Sequence, residues 1–459
     1  MRSIIKNLHR TRAIECEAVL KKIDGGLYTM RKKAFVGLFL TVAFLTLLLL
    51  SGCGAAKPEE NTDNKVITML TAATPSDSFY YGFQKIIDDF NATNEYGVTI
   101  QCDFVSTPDF KTKLPTLMSS GSEPDIIYTL ELGYLGVYVD AGKIVNLQPY
   151  YDADPAWHNS FNDGMLEQLT YNGDVYGVPT QQTMALMFYN KAIFAENGVE
   201  VPTTYDEFLG VCEKLKSNGV TPIALASTPA DAWLVSQYIQ QLSDGLGGYE
   251  LFSGIADGTR SWNDPAMVKA GMLFQEEISK GYYENGFTGV SGEEAEAIFQ
   301  RGDAAMYFNG TWETGTLAST EFTAIADDVG CFIVPAVDSQ YKNVGVGSCD
   351  YCYAITENCK NVDAAGAFLK YWTSEAAASM LLYDYSCLPA TRFDIDDTRL
   401  SPLAANVLEC YAEAAGVTPW YDRVDADLGN EFNNISVSIS NGEDPQAMFN
   451  SLQSYAEGK

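Results

Sequence analysis

Histidine and cationic side chains are scarce in this sequence. The 459 residues include two histidines, and 29 Lys and Arg stand against 60 Asp and Glu, which gives a net charge of -31. Such an acidic surface repels phosphate backbones and anionic headgroups, so nucleic acid is excluded as a partner. A hydrophobic content of 46% excludes a disordered chain, and the length suffices for at least two domains.

Catalytic signatures are also missing. The sequence has no GxSxG, HExxH or Walker GxxxxGK[ST] motif, and no GxGxxG that opens a helix. Beyond residue 52 one histidine remains, His158, so schemes that use histidine as acid, base or nucleophile have little to build on. Carboxylate pairs are too numerous to indicate a glycosidase. We therefore expect that the protein is not an enzyme and that it binds no cofactor.

Long apolar runs are limited to one, Ala34–Leu50. It follows Met30-Arg-Lys-Lys33 and precedes small residues, the pattern of a secretory signal peptide. A transmembrane helix is the alternative, because 17 uncharged residues nearly span a bilayer. The ending Leu50-Ser-Gly-Cys53 resembles the bacterial lipobox, which implies cleavage before Cys53 and acylation of its thiol. The mature protein would then be anchored by lipid at the extracellular face of the cell membrane.

The predicted leader spans residues 1–52, and the polar residues 53–64 read as a lipidated Cys53 followed by a flexible tether. Residues 1–29 delay the basic start of the signal peptide, so Met30 is a candidate for the true start. Nine basic and three acidic side chains lie in the leader, which leaves 20 basic and 57 acidic side chains in the remainder.

Eight cysteines remain after Cys16 of the leader and Cys53 are set aside, and their spacing shows no regular framework. Cys349-Asp-Tyr-Cys352 is a lone CxxC. A zinc site would require a second such pair or histidine ligands, and we predict no metal. Two roles for these cysteines remain as alternatives. They form a local disulfide, which export would permit, or they serve as small residues of the core.

Strand and helix patterns alternate beyond residue 65. Short apolar runs at 66–70, 98–105 and 124–130 predict strands, and apolar residues at helical spacing separate them. Thr204-Tyr-Asp-Glu207 has the spacing of a capping box and predicts the start of a helix. This order predicts an α/β fold with a mostly parallel sheet.

Several blocks resemble the family 1 extracellular solute-binding proteins of ABC importers. Asn172-Gly-Asp-Val-Tyr-Gly-Val-Pro179 with Phe188-Tyr-Asn-Lys191 is similar to the family's G-x-x-Y-G-x-P and Y-N-K block. Val201-Pro-Thr-Thr-Tyr-Asp-Glu-Phe208 is similar to its P-x-T-W-D-E turn, with Tyr205 in place of Trp. Phe299-Gln-Arg-Gly-Asp-Ala-Ala-Met306, followed by Gly310-Thr-Trp312, resembles its F-x-x-G-x-A-A-M and G-x-W block.

The resemblance implies a periplasmic-binding-protein-like fold of type II, with two α/β lobes, a hinge and a cleft between the lobes. The first lobe would comprise 65–180 plus 336–388, and the second 181–335 plus 389–459. It also implies a monomer that binds a mono- or oligosaccharide and delivers it to the membrane permease subunits. A different solute, such as a polyamine or a peptide, and a secreted carbohydrate-active enzyme remain as alternatives.

Aromatic and polar side chains at strand ends are the candidates for a sugar site. Aromatic rings cover the C–H face of a pyranose, and carboxylates and amides bind its hydroxyls. The predicted ligand-binding residues are Glu131, Gln181, Gln182, Trp233, Trp312, Asp350, Tyr351, Trp420 and Asp422. By the resemblance, Trp312 matches the family's stacking position, and its small or polar neighbours suggest that its indole has no apolar bed nearby. Core packing and solvated surface are the alternatives for each residue.

Overall fold

Hydrophobic strands and amphipathic helices alternate throughout residues 65–459, the part of the chain that the computed structural model describes. The predicted leader (1–52), the start at Met30, Cys53 and the tether (53–64) lie outside the described residues. Within 65–459, no helix combines the length and the apolar character that a bilayer crossing requires.

The strands of residues 65–459 are short, apart from two long ones, β6 and β10. They are β1 (Val66–Ala72), β2 (Thr99–Val105), β3 (Ile126–Thr129), β4 (Thr170–Tyr171), β5 (Asp174–Val175), β6 (Val178–Asn190), β7 (Thr221–Ala224), β8 (Ala304–Gly310), β9 (Val329–Phe332), β10 (Val344–Ile355) and β11 (Gly416–Thr418).

The α-helices of the same residues surround the strands. They are α1 (Tyr80–Thr93), α2 (Thr107–Ser120), α3 (Gly133–Asp140), α4 (Gln148–Ala153), α5 (Pro155–His158), α6 (Lys191–Asn197), α7 (Tyr205–Ser217), α8 (Ala232–Ala256), α9 (Pro265–Ser279), α10 (Gly292–Gln300), α11 (Thr314–Leu317), α12 (Val362–Trp372), α13 (Glu375–Tyr385), α14 (Pro402–Glu413), α15 (Tyr421–Val424), α16 (Ala426–Ser440) and α17 (Pro445–Glu457). A 3-10 turn, Thr311–Glu313, joins β8 to α11.

Local sequence signals place several helix ends. α7 begins after Thr204, whose hydroxyl accepts the amide of Glu207 at 3.2 Å, as the capping-box spacing predicts. The Glu207 carboxylate accepts the amide of Thr203 at 2.8 Å. The helix closes with Lys214 and Lys216 in its last turn, where cations interact favourably with the helix dipole.

The sheet is mixed, which shows that the prediction of a mostly parallel sheet was wrong. Its strand order is β2-β1-β3-β10-β6-β8-β7, with β11 beside β10 and β9 beside β6. β1 pairs in parallel with β2 and β3, and β7 with β8. β10 runs antiparallel to β3 and β6, and β6 antiparallel to β8 and β9. An alternation of strands and helices indicates parallel strand pairs. It does not reveal the direction of β6 and β10, which lie in the middle of the sheet and run antiparallel to their neighbours.

Buried hydrophobic side chains form two separate clusters. The first core contains buried residues from 67–178 and 349–390, and the second core contains buried residues from 184–346 and 388–452. β6 and β10 contribute to both cores, because Val178 and Cys349 pack in the first and Met184 and Val346 in the second. The two cores therefore meet where these long strands cross from one to the other.

Candidate functional site

The nine predicted site residues lie on six segments around the junction of the two cores. These segments are the end of β3 (Glu131), the start of β6 (Gln181 and Gln182), the start of α8 (Trp233), the turn after β8 (Trp312), the middle of β10 (Asp350 and Tyr351) and the segment after β11 (Trp420 and Asp422). Six distant parts of the chain thus supply polar and aromatic side chains to one region.

The two crossing strands bring Gln181 and Asp350 together. Gln181 lies directly opposite Asp350 in the antiparallel register of β6 and β10, and Gln182 lies opposite Cys349. Gln181 and Asp350 are buried, whereas Gln182 is half-buried and its backbone N–H donates to the carbonyl of Leu388 at 3.0 Å. The crossing therefore holds an amide and a carboxylate side by side.

A buried ion pair joins elements that belong to different cores. Nη1 of Arg423 on α15 donates to both carboxylate oxygens of Glu131, at 3.0 and 2.8 Å, and Oγ of Ser348 on β10 donates to Oε1 of Glu131. The Glu131 side chain is fully buried and the Arg423 side chain is 8% exposed. Sequence reasoning missed Arg423, although it is the cation next to the predicted Asp422.

Burial and charge oppose each other in this ion pair. Burial raises the pKa of Glu131, while Arg423 and the hydrogen bond from Ser348 act against that shift. Burial also raises the pKa of Asp350, again opposed by Arg423. Burial disfavours the charged guanidinium, but Glu131, Asp350 and Asp422 outweigh it and raise the pKa of Arg423 above its ordinary value. Arg423 therefore stays charged at the centre of three carboxyl groups.

Three tryptophans form a row beside the ion pair. The ring centroids of Trp233 and Trp312 are 5.6 Å apart, and those of Trp312 and Trp420 are 6.3 Å apart. Trp420 is fully buried, whereas Trp233 and Trp312 are partly exposed. Trp312 also packs against both cores, so the prediction that its indole lacks an apolar bed was wrong. Residues distant in sequence supply that bed, and its small neighbours could not reveal it.

Cations and a glycine border the tryptophan row. Nζ of Lys111 lies 5.8 Å from the ring of Trp233, and Cζ of Arg423 lies 5.5 Å from the ring of Trp420, within the range of cation–π attraction. A Cβ atom at Gly310 would lie 2.2 Å from the ring of Trp312, so a larger residue there would displace the indole.

Tyr351 occupies a strained position on β10. Its φ is +45°, in the left-handed region that residues other than glycine rarely adopt. Its ring lies among aromatic rings of the first core, 5.0 Å from Phe79 and Phe83 and 5.2 Å from Tyr128. The ring of Tyr351 is therefore a core group, and its backbone presents Asp350 at the junction.

Five of the buried polar atoms that lack a hydrogen-bond partner in residues 65–459 lie at the same junction, and others lie elsewhere in the fold. The five are Nε2 of Gln181, Oγ1 of Thr183, Nε1 of Trp420, Oδ1 of Asp422 and Nε of Arg423. Buried polar groups nearly always have partners in folded proteins, and those that lack one require an explanation. This set contains both donors and acceptors.

Acidic side chains from both sides of the molecule meet near the tryptophan row. Burial, together with the charges of Asp77 and Glu293, raises the pKa of Glu296 on α10 to about 7. Burial also raises the pKa of Glu313, next to Trp312, and the neighbouring Glu296 and Asp77 add to this shift. Asp77 precedes α1, which packs in the first core, whereas Glu296 and Glu313 belong to elements of the second.

One group of metal-ligand type occurs among the described residues. The candidate ligand atoms of Glu131, Cys349 and Cys352 lie within 4.8 Å of one another, and all three residues are buried. Both carboxylate oxygens of Glu131 already accept hydrogen bonds from Arg423, and burial raises the pKa of both thiols. A metal would require thiolates, so we assign no metal to this group.

One cavity of the described residues lies away from the candidate site. About 460 Å³ in volume, it lies between β1, β2 and α2 and is lined in part by Thr68, Cys102, Asp103, Lys113 and Glu123. None of the nine predicted site residues lines it.

Known proteins are similar to this chain in sequence. The family model described as bacterial extracellular solute-binding protein matches residues 73–379. A multiple sugar-binding protein of Streptococcus mutans serotype c is 27% identical over 375 residues, which cover 79% of this chain and 84% of the relative.

Solved structures share the fold over most of the chain. One, from a study of xylan utilization by the thermophilic bacterium Caldanaerobius polysaccharolyticus, has a TM-score of 0.78 and 25% identity and covers 85% of this chain and 99% of its own. A chitin oligosaccharide binding protein has a TM-score of 0.80 at 24% identity and covers 86% of this chain and 99% of its own. The predicted α/β fold of the periplasmic-binding-protein type, with two lobes, is confirmed.

Proposed function

The chain belongs to the bacterial extracellular solute-binding protein family, and from this premise we propose that it binds a mono- or oligosaccharide at the junction of the two cores. The relative from Streptococcus mutans is named a multiple sugar-binding protein, and a structural neighbour is a chitin oligosaccharide binding protein. These names suggest the class of ligand, and the site supports it.

The unsatisfied polar atoms of the junction carry this proposal. Gln181, Trp420 and Arg423 offer donors, and Asp422 offers an acceptor, next to the partly exposed indoles of Trp233 and Trp312. A sugar has a ring of hydroxyls that both donate and accept, and a C–H face that stacks on aromatic planes. A carbohydrate would therefore satisfy both kinds of group at once.

We further propose that lobe 1 comprises 65–180 plus 336–388 and lobe 2 comprises 181–335 plus 389–459. The membership of the two cores supports this division, with one adjustment: Val346 packs in the second core and Cys349 in the first, which favours a crossing within β10. Gly315 of the proposed lobe 2 lies so close to Ser78 of lobe 1 that a Cβ atom there would be 2.1 Å from Oγ of Ser78, and this close approach supports a closed arrangement of the lobes.

Delivery and anchoring complete the proposal. We propose that Cys53 is the acylated residue that holds the mature protein at the extracellular face of the membrane, where it passes its sugar to the permease subunits of an ABC importer. One acyl chain binds a membrane only marginally, so two chains on Cys53 would account for stable anchoring. Replacement of Cys53 by Ala should release the protein or leave it uncleaved; unchanged cleavage and anchoring would refute the lipid anchor.

A thermal-shift screen tests the ligand class. Purified protein is heated with mono- and oligosaccharides, and with polyamines and short peptides as the competing classes. A ligand at 100 times its Kd should stabilise the protein by about 2.7 kcal/mol. Stabilisation by sugars alone supports the proposal, whereas stabilisation by a polyamine or a peptide alone contradicts it.

A matched pair of variants links the stabilisation to the junction. Asp422→Ala removes an acceptor without a partner and should abolish the shift, whereas Asp394→Ala, at an exposed position, should retain it. Hydrolysis of a sugar polymer during the same incubations would instead indicate the alternative, a secreted carbohydrate-active enzyme.

A further inference from the structure

The CxxC sequence of β10 brings two thiols into contact. The Sγ atoms of Cys349 and Cys352 lie 3.4 Å apart, and both side chains are fully buried in the first core. A disulfide requires an S–S distance of about 2.05 Å, so the sulfurs would need to approach by about 1.4 Å, within the reach of side-chain rotation.

The backbone between the cysteines explains their contact. Side chains at positions i and i+3 of a regular strand point to opposite faces of the sheet. Tyr351 interrupts that alternation with its φ of +45°, while Asp350 and Cys352 keep their register with Gln181 and Pro179 of β6. The left-handed residue therefore brings both thiols to the same side, and the strands keep the same register before and after it.

We propose that Cys349 and Cys352 are joined by a disulfide in the exported protein, and that this bond clamps the Asp350–Tyr351 segment. In the reaction the two thiols lose two protons and two electrons as the S–S bond forms. The oxidant is a second disulfide, carried by an exported dithiol oxidoreductase or a small thiol, and it is reduced to two thiols. Export supplies the compartment in which such bonds persist.

The bond must form before β10 is fully packed. Both thiols are inaccessible in the folded chain, and burial raises the pKa of each, which keeps them protonated and unreactive. Oxidation therefore belongs to the folding stage after export. Once the strand is packed, the same burial protects the disulfide from reduction.

The clamp has a consequence for the binding site, and this consequence rests on the proposed function. A left-handed conformation at a tyrosine is strained, and a bond between Cys349 and Cys352, which flank Asp350 and Tyr351, favours the turn that Tyr351 forms. Asp350 lies inside that turn, opposite Gln181. Reduction should leave the segment more mobile and weaken the binding of ligand.

Thiol mapping of the full chain tests the bond itself, without any ligand. Protein recovered after export is denatured without reductant, alkylated and digested, and the peptide with Cys349 and Cys352 is weighed. Its mass should be two hydrogens lower with Cys349 and Cys352 both unlabelled, and these two cysteines should each accept a label after reduction, whereas Cys359 is labelled from the start. Cys212 and Cys387 are buried free thiols, so they should be labelled before reduction. Their labelling shows that denaturation was complete.

Two results would overturn the proposal. One is a peptide in which Cys349 and Cys352 both carry labels before reduction. The other is a link from either cysteine to Cys331 or Cys410, whose sulfurs lie 3.9 Å from each other.

Ligand binding tests the clamp separately. The Cys349→Ala, Cys352→Ala double variant should bind about five-fold more weakly than wild type, equivalent to about 1 kcal/mol. Cys212→Ala is the matched buried control and should bind as wild type does. Wild-type protein refolded under reductant replaces the double variant if that variant does not fold. If oxidised wild type and the double variant bind ligand with equal affinity, the clamp is refuted, whatever the mapping shows.

Discussion

Single side chains at the junction of the two cores carry groups that the folded chain does not satisfy. Nη1 of Arg423 donates to Glu131, but Nε of Arg423 has no hydrogen-bond partner in the described residues. Oδ1 of the neighbouring Asp422 also lacks a partner there. Removal of one partner of a buried ion pair typically costs about 3–5 kcal/mol of stability. Arg423 therefore contributes to stability, and its Nε without a partner supports the proposed role of this residue in ligand binding.

Trp312 gives the sharpest test at the residue scale. Trp312→Ala should weaken sugar binding at least about 30-fold, because loss of a buried aromatic anchor costs about 2 kcal/mol or more. Its ring stays partly exposed between Trp233 and Trp420, so truncation should lower the free energy of unfolding less than a core truncation does. Titration calorimetry and denaturant unfolding measure the two effects side by side.

Trp420→Ala is the matched control for this comparison. Its indole is fully buried, and truncation should remove about 3–5 kcal/mol from the free energy of unfolding. If Trp312→Ala binds sugar as wild type does, or unfolds as easily as Trp420→Ala, then Trp312 is a structural residue.

At the scale of elements, one carboxylate of the second core ties several helices together. Glu277 on α9 accepts hydrogen bonds from Tyr205 of α7 at 2.6 Å, from Tyr238 of α8 at 2.9 Å and from Tyr283 at 2.5 Å. Burial raises its pKa to about 7, and the three hydroxyls hold that rise back. Its charge state therefore affects the packing of three elements.

The stability of wild type should depend on pH through Glu277. A raised folded pKa means that the native state binds the proton more tightly than the unfolded chain, so stability falls as pH rises from about 4.5 to about 7 and then levels off. The shift corresponds to about 3 kcal/mol over that window. Glu277→Gln removes the titrating group, so the stability of this variant relative to wild type should increase between pH 5 and pH 8.

Unfolding by denaturant at several pH values measures this difference. Other buried acids contribute to the pH dependence of both proteins, and the comparison cancels their contribution. A constant offset between wild type and Glu277→Gln across the whole range would show that Glu277 has an ordinary pKa.

At the scale of the whole molecule, β6 and β10 are the long connections between the two cores. The proposed site draws groups from both cores, so a bound ligand would favour a closed arrangement and should shift the population towards it. Small-angle scattering should show a smaller radius of gyration at saturating sugar. A scattering curve that is unchanged by a sugar of proven affinity would refute closure by ligand.

The Glu131–Arg423 ion pair allows a second test of closure, in the absence of sugar. It bridges elements of the two cores, and Glu131→Gln weakens that bridge while it keeps the size of the side chain. The variant should show a larger radius of gyration than wild type in the absence of sugar. An identical radius would mean that the ion pair does not hold the lobes together.

Local patterns in the sequence determined much of this protein. Apolar runs and helical spacing predicted β1, β2 and β3 and helices such as α7, because side-chain burial on one face follows the period of each element. The blocks around Pro179, Lys191 and Trp312 predicted the family, which the match over residues 73–379 confirms. Strand ends also predicted where polar and aromatic side chains gather, although their role in binding stays a prediction.

Tertiary structure alone decided the rest, since it depends on contacts between distant residues. Glu131 and Arg423 are 292 residues apart, and no local period reports their pairing. The antiparallel course of β6 and β10 made the sheet mixed, and Trp312 gained its apolar bed from both cores. The contact of Cys349 with Cys352 arises from the φ of Tyr351, which packing against Phe79 and Phe83 sustains. The sequence shows the residue types, but the energy that selects each pairing belongs to the assembled fold.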